Sequence, residues 1–189
     1  MRASIQTVVL SAEAHHAARP AHSNYQILFF IDRLFASMEA AVLPDHQLII
    51  FARDDDYFFG VLQCRFHEWW ALRKCSWLGV GNDPRYTPTS TFETYPLPDP
   101  SAAQRSVIGA SAAELDRLRS QWLNPPGAST EELKKRTLTN LYNERPAWLA
   151  NAHVALDAAV AEAYGWAAEI PEDEVLSRLL TLNEKRIPI

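Results

Sequence analysis

The sequence is poor in cysteine and has no long apolar run. Cys64 and Cys75 are its two cysteines, and they form no CxxC pair, so we expect neither a metal site nor a redox site built on them. No secretory signal is recognisable, and no segment approaches the roughly 20 apolar residues of a membrane span. We therefore expect a reduced, cytoplasmic protein without a membrane partner.

The sequence also lacks a basic excess. Its net charge is −5, from 18 basic and 23 acidic residues, and both parts stay acidic when the chain is divided at Pro100. A strong basic balance would indicate a nucleic-acid partner, so any such surface here must be local. The 48% of apolar residues and 22% of charged residues are typical of a globular protein.

Catalytic motifs are missing as well. No Ser–His–Asp order, phosphate loop or HExxH motif is present. The tetrapeptide Asn124-Pro125-Pro126-Gly127 begins like the catalytic loop of amino-methylating DNA methyltransferases, but glycine replaces the aromatic residue and no glycine-rich cofactor loop precedes it. We interpret it as a helix stop and expect no catalytic residue, no metal and no S-adenosylmethionine bound by this chain.

The first part of the chain predicts strands and then a long helix. Residues 25–31 and 47–52 are apolar runs of strand length. Residues 57–74 have a helical period, with a broad apolar arc. Arg65 and Arg73 lie within that arc, so their side chains should extend past it to a carboxylate or a phosphate.

A narrow polar stripe of Gln63, His67 and Lys74 lies opposite the apolar arc of this helix. His67 has two interpretations, a catalytic base or a stripe residue that touches solvent or a phosphate. No nucleophile is close in the sequence, which favours the second.

An irregular loop is predicted for residues 79–89. Gly79 and Gly81 free the backbone, whereas Pro84 and Pro88 fix it again. The polar side chains between them are then held in defined directions, as in many recognition loops.

The side chains of this loop match the chemistry of base edges. Arg85 suits guanine, Asn82 suits adenine, and Asp83 can accept a hydrogen bond from cytosine. The structural alternative is an Asp-Pro turn with an arginine paired to it. Further residues are candidates for contacts with the DNA backbone, namely Arg53, His67, Arg73, Lys74, Thr87 and Thr89.

After Pro98 the sequence predicts helices. One helix spans residues 101–123, and a capping box of Ser129 with Glu132 begins another. A third runs from Pro146 to Gly165, and one side of it carries a stripe of Leu149, His153, Leu156, Val160 and Tyr164. A fourth covers residues 171–186 with acidic residues first and basic residues last. We therefore divide the chain into residues 1–99 and an all-helical part, residues 100–189, which is expected to fold by itself.

The order of residues resembles the carboxyl end of the MmeI-like (type IIL) restriction-modification enzymes, which are adenine-N6 DNA methyltransferases that also cut DNA. The most specific string includes Asn82-Asp83-Pro84-Arg85-Tyr86. The matching segments are residues 51–62, 65–68, 77–89, 92–96, 137–146, 152–153 and 163–166. Residues 1–31 depart from the pattern.

The resemblance implies an α+β chain, in which part of a mixed α/β target-recognition domain precedes a small helical domain. Its partner would be double-stranded DNA, and the methyltransferase core that uses S-adenosylmethionine would lie upstream or on another chain. This chain would then recognise a DNA sequence without methylating it. Three alternatives stay open: a stand-alone helical interaction module, a decayed gene fragment without activity, and a small hydrolase using His67 or His153.

Overall fold

The structure, a computed structural model, describes residues 25–29, 34–38, 49–51, 53, 55–78 and 83–186. It confirms the α+β class. The chain forms two compact units, Met1–Asp55 and Asp56–Ile189. The compact units therefore divide near Asp55, whereas the sequence indicated a division near Pro100.

The first unit contains an antiparallel sheet with the strand order β2-β1-β3. β1 is Tyr25–Phe29 and β3 is Ile49–Phe51, so both predicted strands are present in the residues that the structure describes, and their remaining residues lie outside that part of the chain. β2, Leu34–Met38, was missed because its Ala36 and Ser37 interrupt the apolar pattern. Two aromatic rings, those of Phe35 and Phe51, lie buried with centroids 6.5 Å apart.

The second unit is built around α1, Asp56–Gln63. Every residue of α1 after Asp56 is buried, as expected for a helix that is apolar on all sides. At Gly60, α1 packs closely against its neighbours. A Cβ atom at this position would lie 2.9 Å from Ile108 Cγ2 and 3.2 Å from Leu156 Cδ1. These two neighbours belong to α4, Ala102–Leu123, and α7, Ala147–Tyr164, so α1 is the centre of the core.

The prediction of one long helix over residues 57–74 is wrong, because the helix is interrupted at Cys64. α2 is Arg65–Lys74, and Cys64 before it is extended, with φ −71° and ψ 154°. The first N–H of α2, that of Arg65, donates to Asp157 Oδ1 of α7 at 2.9 Å. A carboxylate at a helix N-terminus satisfies an unpaired donor and suits the helix dipole. Asp157, which is distant in the sequence, therefore stabilises the interruption between α1 and α2.

The chain continues from α2 through a short two-stranded sheet and then into helices. The strands are β4, Ser76–Leu78, and β5, Asp83–Arg85. The helices that follow are α3 (Pro88–Thr91), α4 (Ala102–Leu123), α5 (Thr130–Lys135), α6 (Leu138–Glu144), α7 (Ala147–Tyr164) and α8 (Glu172–Arg186).

Local signals predicted most helix ends correctly. Ser101 and Ser129 form capping boxes with Gln104 and Glu132, and Gly165 ends α7 with φ 70°. α6 was missed, although Thr137 accepts a hydrogen bond from the backbone N–H of Asn140 at its start. The linker between Lys135 and Thr137 is short, and α6 itself is too short to show a helical period in the sequence. The cap at Thr137 was therefore overlooked.

The expectation that residues 100–189 fold by themselves does not agree with the packing. α1 lies outside that range, yet it fills the space between α4 and α7. Removing α1 would expose Ile108, Ala112 and Leu156, which lie beside Gly60 and are fully buried. The helical part therefore needs α1 to complete its core.

Candidate nucleic-acid interface

The predicted irregular loop is in part a β-ribbon, formed by the antiparallel pair β4 and β5. Ser76 pairs with Arg85, Trp77 with Pro84, and Leu78 with Asp83. The base-edge candidate Asn82 lies outside the described residues, and Asp83 begins β5. A proline is tolerated in β5 because a two-stranded ribbon has edge strands only.

Cations gather where α2 runs into this ribbon. Arg73 and Lys74 occupy the last turn of α2, and Arg85 lies opposite Ser76, two residues after Lys74. Arg73 and Arg85 are exposed, while the Lys74 ammonium lies over the Trp70 ring, 5.0 Å from its centroid. Within the described part of the chain, none of the three forms a salt bridge. We call Arg73, Lys74 and Arg85 the cationic cluster.

His67 does not belong to this surface, so its assignment as a phosphate contact is wrong. Its side chain is only 1% exposed, and Gln63 of the same predicted stripe is also buried. His67 Nδ1 lies 2.9 Å from Leu62 O, and Nε2 lies 3.0 Å from the Tyr86 hydroxyl. Burial lowers the pKa of His67 to about 4, so the ring is neutral at pH 7.

The two threonine candidates flank the start of α3. The Thr87 carbonyl accepts hydrogen bonds from the backbone of Ser90 and Thr91, and the Thr87 hydroxyl lies 3.4 Å from that of Ser76. Thr87 is half-buried and Thr89 is exposed. Thr89 can therefore reach a ligand directly, whereas Thr87 mainly joins α3 to β4.

Arg53 belongs to the first unit and already has a partner. Its Nη2 lies 2.7 Å from Asp55 Oδ2, and its side chain is 42% exposed. A phosphate contact by Arg53 would have to compete with this carboxylate. Arg65, by contrast, meets the expected carboxylate, with its Nε 3.8 Å from Asp157 Oδ2.

Side chains that were not predicted as site residues hold residues 91–96 in place. Trp70 Nε1 donates to Thr91 O at 3.1 Å. Further along, Asn183 donates to Thr94 O at 2.6 Å, Arg186 to Tyr95 O at 3.0 Å, and Tyr164 to Pro96 O at 2.7 Å. No local pattern could reveal these contacts, because they join α2, α7 and α8 to a segment far away in the sequence.

The residues described around His67 and His153 do not favour a hydrolase. Cys64 is a fully buried thiol near His67, and burial raises its pKa to about 12. His153 lies 2.9 Å from the Tyr142 hydroxyl, and burial lowers its pKa to about 4. Among the residues that the structure describes, no group of three His, Cys, Asp or Glu side chains could hold a metal ion.

The helices described here include none that is both long and apolar enough to span a membrane.

A solved protein–DNA complex contains a similar fold. It is the structure of the type IIL restriction-modification enzyme MmeI in complex with DNA, with a TM-score of 0.70 and 21% sequence identity. The likeness covers 86% of this chain and 21% of that one. This chain has the fold of one part of that enzyme. It spans about a fifth of the enzyme's length, and its sequence matches no family model and no curated protein.

Proposed function

We propose that this chain belongs to the MmeI-like, type IIL restriction-modification family and recognises a sequence in double-stranded DNA. Its role is to position DNA for an adenine-N6 methyltransferase core that binds S-adenosylmethionine. The observation that carries the proposal is the fold shared with a DNA-bound enzyme of that type over 86% of this chain. The cytoplasm is the expected location.

The cationic cluster supplies the local charge that such binding requires. Arg73, Lys74 and Arg85 lie at one end of α2 and on the adjoining ribbon, without salt bridges to other described residues. Lysine and arginine side chains that neutralise phosphates account for most of the sequence-independent affinity for DNA. The net charge of −5 is therefore compatible with binding at this one place.

The same ribbon offers the means to read a base pair. The major groove of B-DNA admits a two-stranded β-ribbon, and arginine pairs with guanine O6 and N7 through two hydrogen bonds. Arg85 is exposed on β5. We propose that Arg85 contacts guanine, that Asp83 contacts its cytosine, and that Asn82 reads a neighbouring adenine.

The burial of α7 gives no support to the alternative of a stand-alone helical interaction module. An exposed apolar face on α7 would favour that module, but Leu149, Leu156 and Val160 of this face are fully buried. His153 and Tyr164, the other two residues of the face, are half-buried and hydrogen-bonded. The α7 face thus belongs to the core of the second unit.

The direct test is DNA binding as a function of salt. Arg73→Ala and Lys74→Ala should weaken binding to all sequences alike, and each should make the slope of log affinity against log salt less negative by about 0.9. Arg85→Ala should in addition relax the preference at one base pair. Lys135→Ala is the matched control, because Lys135 is an exposed cation on α5. If Lys135→Ala changes the slope as much as the cluster variants do, the cationic cluster is not the binding surface.

A further inference from the structure

Tyr86 connects the exposed ribbon to the core. Arg85 is exposed, whereas the next residue, Tyr86, is only 4% exposed. Their side chains therefore leave the chain on opposite sides, one towards solvent and one into the second unit. The position of the inward ring consequently limits where the outward guanidinium can lie.

A buried hydrogen-bonded path begins at the Tyr86 hydroxyl. A carbonyl oxygen can only accept, so His67 Nδ1–H donates to Leu62 O, and the neutral Nε2 accepts from the Tyr86 hydroxyl at 3.0 Å. The low pKa of His67 agrees with this assignment. Leu62 belongs to α1, so the path runs from the ribbon through α2 to the central helix.

Ring packing restricts the middle of this path. The His67 ring meets the Tyr95 ring edge to face, with centroids 4.8 Å apart, and it lies 5.8 Å from the Tyr86 ring. Tyr95 is itself 1% exposed. Since His67 has partners at both nitrogens and on its face, it cannot turn without losing buried contacts.

We propose that Tyr86 and His67 are positioning residues that fix Arg85 for base recognition. The proposal rests on the proposed function. A bidentate arginine–guanine contact requires the guanidinium plane to lie within about 0.5 Å and 10–20° of the productive geometry. A phosphate contact by Lys74 acts through a point charge and tolerates more movement. Loosening the anchor should therefore reduce sequence preference while general affinity for DNA is retained.

The test compares two Tyr→Phe variants of the full chain. Tyr86→Phe removes the hydrogen bond to His67 but keeps the buried ring. Tyr142→Phe is the matched control, because it removes a Tyr–His hydrogen bond of 2.9 Å between α6 and α7 and leaves the ribbon untouched. Each protein is used to select duplexes from a randomised library, and the preference at every base pair is compared with that of Arg85→Ala.

The expected result is a loss of preference confined to the base pair that depends on Arg85. In Tyr86→Phe this preference should fall by about fivefold or more, within the range that one bidentate contact supplies. Preferences at the other base pairs and binding to unrelated DNA should stay unchanged, as should every preference in Tyr142→Phe. A uniform loss at all base pairs, or no change, overturns the positioning role.

Amide hydrogen exchange measured without DNA tests the Tyr86–His67 anchor independently of the proposed function. Tyr86→Phe should accelerate amide exchange in β4 and β5 at least several-fold and leave α4 and α7 unaffected. Unchanged exchange in the ribbon overturns the anchor even if the protein binds DNA. If the unaltered chain binds no DNA, the proposed function fails and this proposal with it. If Tyr86→Phe does not fold, His67→Leu tests the same hydrogen bond. If neither variant folds, the two residues serve the stability of the whole unit, and the positioning role is overturned.

Discussion

Gly60 of α1 is the most informative single position for the core, and Gly109 of α4 is its natural control. Both glycines lie inside helices, so replacing either with alanine should gain about 1 kcal/mol of helix propensity. Their surroundings differ. A Cβ atom at Gly60 would lie 2.9 Å from Ile108 Cγ2 and 3.0 Å from Ala112 Cβ, whereas at Gly109 the nearest atom would be Tyr57 N at 3.6 Å.

The neighbours of Gly60 cannot move aside easily. The β-branched side chain of Ile108 has one strongly preferred rotamer in a helix, and the Cβ atom of Ala112 is fixed to the backbone. Inserting a methyl group into such a site costs about 1–3 kcal/mol. Gly109→Ala has no such cost, since 3.6 Å is an ordinary contact distance.

The difference between the two variants isolates the packing cost, because the gain in helix propensity is common to both. We expect Gly109→Ala to raise the free energy of unfolding, and Gly60→Ala to lie about 1–3 kcal/mol below it. Urea titrations measure this difference, and thermal melts should show about 2–4 °C per kcal/mol. Equal stabilisation by both substitutions would refute the close packing of α1 between α4 and α7.

Two further predictions concern the same core. A fragment of residues 56–189 should unfold cooperatively, whereas residues 100–189 should not, because the latter lack α1; a cooperative melt of the shorter fragment by circular dichroism would contradict this. Between pH 6.5 and 4 the unfolded chain binds a proton at His67 that the folded chain rejects, so stability should fall as pH falls, by on the order of 3 kcal/mol for this residue. Asp157 acts in the opposite sense, since burial raises its pKa to about 6 and its contribution is lost as pH rises from about 4 to 6. Asp157→Asn should therefore steepen the acid loss of stability in urea titrations at several pH values, and His67→Gln should reduce it.

The helical ends were predictable because their signals are local. Ser101 and Ser129 lie three residues before the side chains that complete their capping boxes, and Gly165 adopts the positive φ that glycine tolerates best. Helical periodicity then supplied the buried stripe of α7, with Leu149, Leu156 and Val160 inside.

Two of the errors share one physical cause, which is contact between residues distant in sequence. The break at Cys64 is stabilised by Asp157, 92 residues after Arg65. His67 sits on a polar stripe by periodicity, yet Tyr86 meets its ring nitrogen in the interior. Helical periodicity describes one helix at a time, so it could reveal neither contact.

Only the exposure of the candidate contact residues can be compared with the sequence-based expectation. Arg73, Thr89 and Arg85 are exposed, as a DNA contact requires, and Lys74 is half-buried beside Trp70. The ribbon itself was missed, because β4 and β5 have three residues each and β5 contains Pro84. Strands this short give no measurable alternation, so only their pairing defines them.

Sequencing of methylated sites can decide whether β5 reads a base pair, as we propose. The chain would replace the part of a type IIL restriction-modification enzyme that shares its fold, and under the proposed function the rest of that enzyme would methylate the DNA. Asp83→Lys and Arg85→Asp would then be introduced together. We expect methylation of a sequence changed at one base pair, since the paired contact is worth roughly 1–3 kcal/mol of discrimination. An unchanged recognition sequence with reduced methylation would contradict it and show that Asp83 and Arg85 form a structural turn.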